Sequence, residues 1–594
     1  MFFDELLFLA GSFNLYQAII IIGGHFLEYI SAWQNLNAAF IAGEPRHWCS
    51  VPEIDNLGLS HGLRMNLTTP IEEKDGRTFF SSCKVYDRNY TGITGDNYLD
   101  ILGWNTTKTR DCDAFVYSKE LYVSTIATEW DLVCGQKWIK ATIQSIFFVG
   151  RLIGAVFWGF IADRFGRKKV YIITLLGTMI ISISSAFYPE IISYTVSRFL
   201  TAFFITGVTQ TFYVILMELV GPKYRVATGI IYFGGWTMGM VSLSGLAYAV
   251  REWRKLQLVI SVPSVIMLIF VWLLPESPRW SRQNNKEEDA KEVIKTIAKV
   301  NKTTEKLPEN FTIDLEKGKA AKGNFIALFS TPNIRKRTLI LCYVWFANSL
   351  VYYGLSLNTS NLGGNPYINF FISGAVEIVA KVFVISGFMY IGRRLPFSFA
   401  MLFGGVCLIA TIAVPVDQNV IIVVLSMAGK LAIAASFDMA WIYSAEVYPT
   451  PLRASGVGCN SMAARVAGII SAYVGLLGDV NRVLPYLVLG IVSLISGVLV
   501  LFLPETRGMS LPETIEEGEQ FGQGQRFFAC TGNPEPDDLK KERDIGKENE
   551  AMHGVGQENG AVYNRGKENM GFDHENQHVE KSKPTAEMIN LNRL

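Results

Sequence analysis

The residues of this chain best placed to do chemistry are ionisable groups set in apolar surroundings. Glu377 and Lys381 stand four apart in Ala375-Val-Glu-Ile-Val-Ala-Lys381, and Arg465 lies within Ser461-Met-Ala-Ala-Arg465-Val-Ala-Gly468. An ionisable side chain deep in hydrocarbon costs about 2.5–3.5 kcal/mol on insertion scales, so each is a functional candidate by default. A spacing of four puts Glu377 and Lys381 on one helix face, where they can pair. Arg465 is then an uncompensated cation, which suits an anionic group. Arg151, Asp438 and the pair His25 and Glu28 are further charges in apolar runs. Asp438 with Glu377 offers the opposite chemistry, a site for a cation, and a purely structural ion-pair network is the third alternative. Nothing in the sequence looks like an enzyme: the six histidines are scattered and no nucleophile or metal-ligand constellation is recognisable. There is no Gly-x4-Gly-Lys-Ser/Thr phosphate loop, which argues against an ATP-driven pump. No cofactor or metal is expected, and nothing specifies a coupling or exchange ion.

The elements that must position these charges are membrane helices. Half of the 594 residues are apolar and the mean hydropathy is +0.25, which is membrane composition. A net charge of +1 carries no nucleic-acid signal, so nucleic acid is excluded as a partner. Crossing hydrocarbon takes about 20 apolar residues. Twelve spans of that kind are predicted near 17–42, 137–161, 170–187, 190–213, 224–250, 256–274, 336–357, 367–391, 396–415, 419–443, 455–477 and 483–503. The acidic start Met1-Phe-Phe-Asp4-Glu5 is unlike a signal peptide, so the first span is expected to be retained after a cytoplasmic N-terminus, 1–16.

Short loops carrying Arg167 to Lys169, Lys223 and Arg225, Arg335 to Arg337, Arg393 and Arg394, and Arg453 set the cytosolic side, with both termini on it. The long loop 43–136 is then extracellular. It holds Cys49, Cys83, Cys112 and Cys134, which permit three disulfide pairings, and sequons at Asn66, Asn89 and Asn105. The sequons at Asn301 and Asn310 fall in the central cytoplasmic loop, 281–335, and are expected to carry no glycan. That loop contains a helix-like stretch from Lys286 to Lys299. From 506 to 594 the chain is polar and reads as a disordered cytoplasmic tail, a place for tail-binding cytosolic proteins.

Three landmarks recur at nearly one offset. Gly166-Arg-Lys reappears as Gly392-Arg-Arg, Glu218 with Arg225 as Glu446 with Arg453, and Pro275-Glu-Ser as Pro504-Glu-Thr. The chain is therefore two six-helix halves, 17–280 and 336–505, the arrangement by which many secondary transporters alternate access. One copy has lost an acid, since Met389 stands where Asp163 stands.

Gly159-Phe-Ile-Ala-Asp163-Arg164-Phe-Gly166-Arg167-Lys168 resembles the signature of the major facilitator superfamily. More narrowly, Thr128-Glu-Trp-Asp-Leu-Val-Cys134, Pro275-Glu-Ser-Pro-Arg-Trp280, Ala445-Glu-Val-Tyr-Pro-Thr450 with Arg453, and Leu503-Pro-Glu-Thr-Arg507 resemble the organic cation, organic anion and carnitine transporter family (solute carrier family 22). The resemblance covers about residues 1–510. It implies an all-α membrane protein of twelve helices in two pseudo-symmetric halves, with a large extracellular loop between the first two helices. It implies a plasma-membrane secondary transporter of broad specificity for small organic ions, with the lipid bilayer as its other partner. A solute sensor on the same fold is the rival from another class.

By the same resemblance, a gate at the cytosolic helix ends falls to Asp163, Arg164, Arg167, Glu218, Arg225, Glu446 and Arg453. Arg465 resembles the anion and carnitine branches, where the cation branch looks acidic, and Lys381 resembles the anion branch. Gln34-Asn35 in the first span resembles that branch too. Tyr352, Tyr353, Trp236, Trp441 and Tyr443 fall where the family lines its cavity. Anions and zwitterions are the favoured substrates and organic cations the alternative.

Overall fold

In a computed structural model, the described residues are 3–525 apart from 75–76, 92, 95–97, 99–107, 309–310, 314–324, 360–362 and 416. Twelve membrane-length elements follow one another. The first half holds α1 (Leu15–Leu36), α2 (Lys137–Phe165), α3 (Arg167–Ser184), α4 (Ile191–Leu219), α5 (Arg225–Ala249) and α6 (Trp253–Leu273). The second holds α7 (Pro332–Leu357), α8 (Pro366–Tyr390), α9 (Arg394–Ala410), α10 (Asn419–Val447), α11 (Thr450–Val474) and α12 (Val483–Val500). Eleven of them are apolar enough to cross a membrane by composition alone. The exception, α3, opens with Arg167, Lys168 and Lys169 in its 18 residues, and those three charges dilute an otherwise apolar helix. Two large hydrophobic clusters form, one centred in each half, with Tyr367 and Phe370 of α8 joining the first. The halves meet where α2 packs on α11 and α5 on α8.

The repeated motifs are helix-terminus chemistry. Gly166 and Gly392, at φ of 101° and 117°, turn the chain between α2 and α3 and between α8 and α9, in a backbone region that favours glycine. Each turn exposes the amides of a new helix N-terminus, which attract a carboxylate. Glu276 accepts from the Arg167 and Lys168 amides at 2.7 and 3.2 Å, and Glu505 from those of Arg393 and Arg394 at 2.9 and 3.0 Å. Ser277 donates to Glu218, and Thr506 donates to Glu446 at 2.5 Å. The pattern shared by the two copies of the repeat is thus one capping device built twice, once inside each half.

Between α1 and α2 lies a small cap, and here the chain departs from an all-helical description. Three antiparallel ribbons pair His47–Cys49 with Phe115–Tyr117, Ile71–Lys74 with Arg77–Phe80, and Lys84–Tyr86 with Thr109–Asp111. Cys49 is bonded to Cys112 and Cys83 to Cys134. A core this small, with Val51, Ile54, Leu67, Val85 and Tyr90 at its centre, depends on such staples. Each bond closes a loop of more than fifty residues, so its loss is expected to destabilise the cap by about 2–5 kcal/mol. Cys49→Ser, Cys112→Ser and the double variant should do so equally, and thermal melting of the three against wild type checks it; additive losses in the double would mean a different pairing. The Thr128-Glu-Trp motif anchors the cap's end: Thr125 caps a short turn, and Glu129 accepts from Trp253 at 2.7 Å and pairs with Arg254 at the start of α6.

Burial holds His47 below its usual 6.5, against the opposing pull of the Pro45 carbonyl and Glu44. The folded cap therefore binds fewer protons than the unfolded chain, and its stability falls as pH drops below about 6.5. Glu44 is pushed up by burial but held below the usual carboxylate range by Lys140 and Lys137, so its contribution is lost only in more acid solution. Protection factors for amide exchange in the cap, which divide out the pH dependence of the intrinsic rate, are expected to fall between pH 7.5 and 5.5, and His47→Gln should flatten that dependence.

On the opposite face, the helix Phe3–Gly11 buries Phe3, Leu6, Leu7 and Ala10 against Ala290, Ile294, Ile297 and Ala298, the last four on the helix Glu287–Val300. Asn301 spends its side chain there, its Nδ2 donating to Ala10 O at 3.0 Å. Asn105, Asn310 and 526–594 lie outside the described residues. The first part of the expected disordered tail is in fact folded: helix Ile515–Gln520 docks on α7, where Glu519 accepts from the Asn333 and Ile334 amides at 2.7 and 3.0 Å. The N-terminal amides of α7 have no intrahelical acceptor, and the Glu519 carboxylate satisfies two of them.

Candidate functional site

The charges at mid-span gather where the halves face each other, in a pattern that differs from the i, i+4 expectation. Glu377 does not pair with Lys381. It lies 3.2 Å from the ammonium of Lys430 on α10, both side chains being under a tenth exposed. Lys381 instead reaches Asp438 at 3.0 Å. The reason is satisfaction of buried lone pairs and protons. An intrahelical pair contributes only about 0.2–0.5 kcal/mol, whereas a buried ion needs a full set of partners. Toward α5 and α7, Glu377 finds Thr237 at 3.5 Å, and Lys430 finds the Ser356 hydroxyl and the face of Tyr352, its nitrogen 3.3 Å from the ring centroid. Glu377 and Lys381 are one helical turn apart, and α10 offers a base and an acid in the matching order. The Lys430 contact with Glu377 Oε1 is electrostatic, off the hydrogen-bond axis.

Lys430 was missed in the sequence reading. Its signal was present, a lysine in the apolar run Ser426-Met-Ala-Gly-Lys430-Leu-Ala-Ile433 of the tenth span, as strong as those at Glu377 and Lys381.

Arg465 forms no salt bridge among the described residues. It donates to Ser461 Oγ one turn earlier on α11 at 2.9 Å, and its charged neighbour is Arg151 of α2, across the boundary between halves. Arg151 bonds the Tyr353 hydroxyl, interacts electrostatically with Glu28, and leaves its Nε without a partner. No carboxylate forms a salt bridge with either arginine among the described residues. At this level the cations Arg151, Lys381, Lys430 and Arg465 outnumber the acids Glu28, Glu377 and Asp438.

Aromatic side chains wall the same region. Trp236 donates to Tyr352 at 2.8 Å, Tyr353 meets Phe148 edge to face at 4.8 Å, and Trp441 bridges Trp345 at 4.5 Å and Phe233 at 6.1 Å. Tyr443 is a correction: it is wholly buried within the second half, packed on Phe397, with its hydroxyl on Pro504 O. A tyrosine two residues from Trp441 points about 200° around the helix, away from the facing half. Asn35 is buried in the first half, its Oδ1 without a partner and its carbonyl accepting from Gln144 at 3.1 Å.

Bonds joining the halves gather at mid-span and on the cap face. Ser145 donates to Ile469 O at 3.0 Å, Thr142 meets Tyr473 at 3.1 Å, Lys137 meets Asp479 at 3.2 Å, and Tyr367 donates to Leu121 O at 2.7 Å. Gly468 lets α11 lie against Phe148, which a Cβ would meet at 2.8 Å. The expected gate residues on the other face bond within their own halves. Asp163, 77 % exposed, pairs with Arg167 at 2.9 Å; Arg225 and Arg279 both reach Asp4; Glu446 pairs with Arg393 at 3.2 Å. Arg453 touches Thr450, and Arg164 lies over Phe165. None of these seven is bonded across the halves among the described residues, so a bridging role is not expressed in this conformation, which is closed on the cap face.

A family profile described as "Sugar (and other) transporter" matches residues 104–517. The chain is 36% identical over 536 residues to the "Organic cation transporter protein" of Drosophila melanogaster, covering 88% of this chain and 95% of that one. It is 34% identical to the "Beta-alanine transporter" of the same organism, covering 87% and 89%. Among solved structures, the inward open conformation of the xylose transporter XylE from E. coli superposes with a TM-score of 0.52 at 14% identity, covering 85% of this chain and 98% of that one, a likeness of fold. Two six-helix halves, a stapled cap after the first helix and a charged, aromatic mid-span site thus belong together: the chain is a member of the major facilitator superfamily of membrane transporters, in the organic cation, organic anion and carnitine transporter family.

Proposed function

We propose that this protein carries small organic anions and zwitterions across the plasma membrane by alternating access, with both termini in the cytosol and the cap outside. The observation that carries the reading is the pair Arg151 and Arg465, one from each half, with no carboxylate in salt-bridge reach among the described residues. A carboxylate bound between them relieves their repulsion and draws the halves together, which couples binding to the rocking of one half on the other. Tyr352, Tyr353, Trp236 and Trp441 supply flat walls that accept varied organic bodies, and Glu377 with the ring faces can hold an ammonium. A zwitterion such as β-alanine, named for one relative, fits both ends of that description.

Organic cations are the second reading, favoured by Asp438 and Glu377 and by the names of other relatives. Uptake of one labelled anion, one zwitterion and one cation into cells expressing the full chain separates the two: flux of the cation alone would refute the proposal. Binding of all three without flux of any would make the protein a sensor.

The face of Asp163 serves the gate. Its exposed pair with Arg167 contributes only about 0.2–1 kcal/mol here, so its use lies in the conformation that closes this face. Asp163→Asn is expected to slow transport several-fold and leave the ranking of substrates unchanged, read from initial rates for the three solutes.

A further inference from the structure

Above the mid-span site, a cavity of about 1040 Å³ opens between the cap and both halves. Its wall includes Arg46 and Trp48 of the cap, Lys137 and Lys140 at the start of α2, and Asp479 and Arg482 before α12. Glu44 bridges Lys137 at 3.0 Å and Lys140 at 2.8 Å, and Lys137 continues to Asp479 at 3.2 Å. Two acids are therefore already shared between two lysines. Arg46 and Arg482 pair with no carboxylate among the described residues, Arg482 donating instead to Val414 O at 2.8 Å. The wall carries surplus positive charge.

Its other features ask for a ligand that is also flat and apolar. Phe79 and Phe80 line the cavity with Trp48, whose indole Nε1 is buried without an acceptor. Volumes of about 300–1,000 Å³ hold small organic molecules, and sites for them combine apolar walls with a few placed polar groups. We propose that this vestibule is a second binding site, for an amphipathic organic anion such as an aryl sulfonate or aryl carboxylate, with Arg46 and Arg482 holding the anionic group and the cap aromatics holding the ring.

The placement gives the site a consequence. Lys137 belongs to the first half and Asp479 and Arg482 to the second, so parting the halves on the cap face dismantles the wall. A ligand that needs the intact wall binds the closed cap-face conformation and stabilises it by its differential affinity. It therefore slows transport without competing at mid-span. This inference stands on the charge of the vestibule and does not depend on which ion the mid-span site carries.

The test uses the full chain in lipid nanodiscs with naphthalene-2-sulfonate as probe. Wild type should bind it, and in the Arg465→Asp background, which removes anion binding at mid-span, Arg46→Glu with Arg482→Glu should weaken the remaining binding about tenfold or more, the scale of a lost or reversed close charge pair. Arg46→Lys with Arg482→Lys should keep it within about threefold, which separates charge from folding. Arg465→Asp should leave it in place, and applied from the cap side the probe should lower maximal uptake at unchanged KM. Absence of binding to wild type, unchanged affinity in the glutamate pair, loss in Arg465→Asp alone, or purely competitive inhibition each overturns the proposal.

Discussion

Arg465→Asp is expected to cut uptake of a labelled organic anion about a hundredfold while leaving the protein folded and at the cell surface. The magnitude follows from the site. Arg465 lies beside Arg151 with Ser461 as its hydrogen-bond partner among the described residues, so the proposed site holds two like charges that a bound carboxylate would compensate. Losing one partner of such a desolvated pair costs about 2–5 kcal/mol, and 2.7 kcal/mol is a factor of about one hundred. The reversal also removes the repulsion between the arginines, so the folded protein gains a pair with Arg151 and should not be destabilised. That split, transport lost and stability kept, distinguishes a substrate contact from a structural one. Arg465→Lys should recover part of the flux, because it keeps the charge and loses the planar fork. Anion uptake that survives Arg465→Asp would remove Arg465 from the substrate site.

Lys430→Ala should have the opposite signature. Lys430 and Glu377 are buried together, and removing the ammonium leaves a carboxylate without a counter-charge, at a cost of about 3–5 kcal/mol. A sharp drop in thermal stability in detergent and in surface expression is expected. Lys430→Met combined with Glu377→Gln should restore most of that stability, since a neutral pair of similar volume has no ion to desolvate. The double variant then isolates what the charges do for transport. If Lys430→Ala melts with the wild type, the pair is hydrated and its place in the interior is wrong.

Much of the fold was legible because membrane helices obey strong local constraints. A span needs a run of apolar residues, and the runs are in the sequence; α3 remained legible because its three basic residues sit at its end, where the turn at Gly166 takes them out of the hydrocarbon. The repeat was legible for a related reason. Gly166 and Gly392 must supply a left-handed turn, and Glu276 and Glu505 must cap the helices that follow, so residue types are fixed at matched positions.

The charged site was legible only as an inventory. Arg465, Glu377 and Lys381 could be picked out, because an ionisable residue in an apolar run is conspicuous wherever it faces. Their partners could not. Glu377 and Lys381 obey the rule for pairing on one helix and still bind elsewhere, because Lys430 and Asp438 approach from α10 with the hydroxyl of Ser356, the ring of Tyr352 and Thr237 completing the set. Tyr443 shares a turn with Trp441 and ends in the core of the second half, since two residues of helix turn a side chain away from its neighbour's direction. The sequence by itself determined twelve apolar spans, their duplication, the cap's cysteines and which charges lie at mid-span, for these follow from composition and short-range order. Only the tertiary structure decided the disulfide pairing, the exchange of ion-pair partners between α8 and α10, the meeting of Arg151 with Arg465 and the closure on the cap face, because each depends on which helix lies beside which, and that is set by packing between residues hundreds of positions apart.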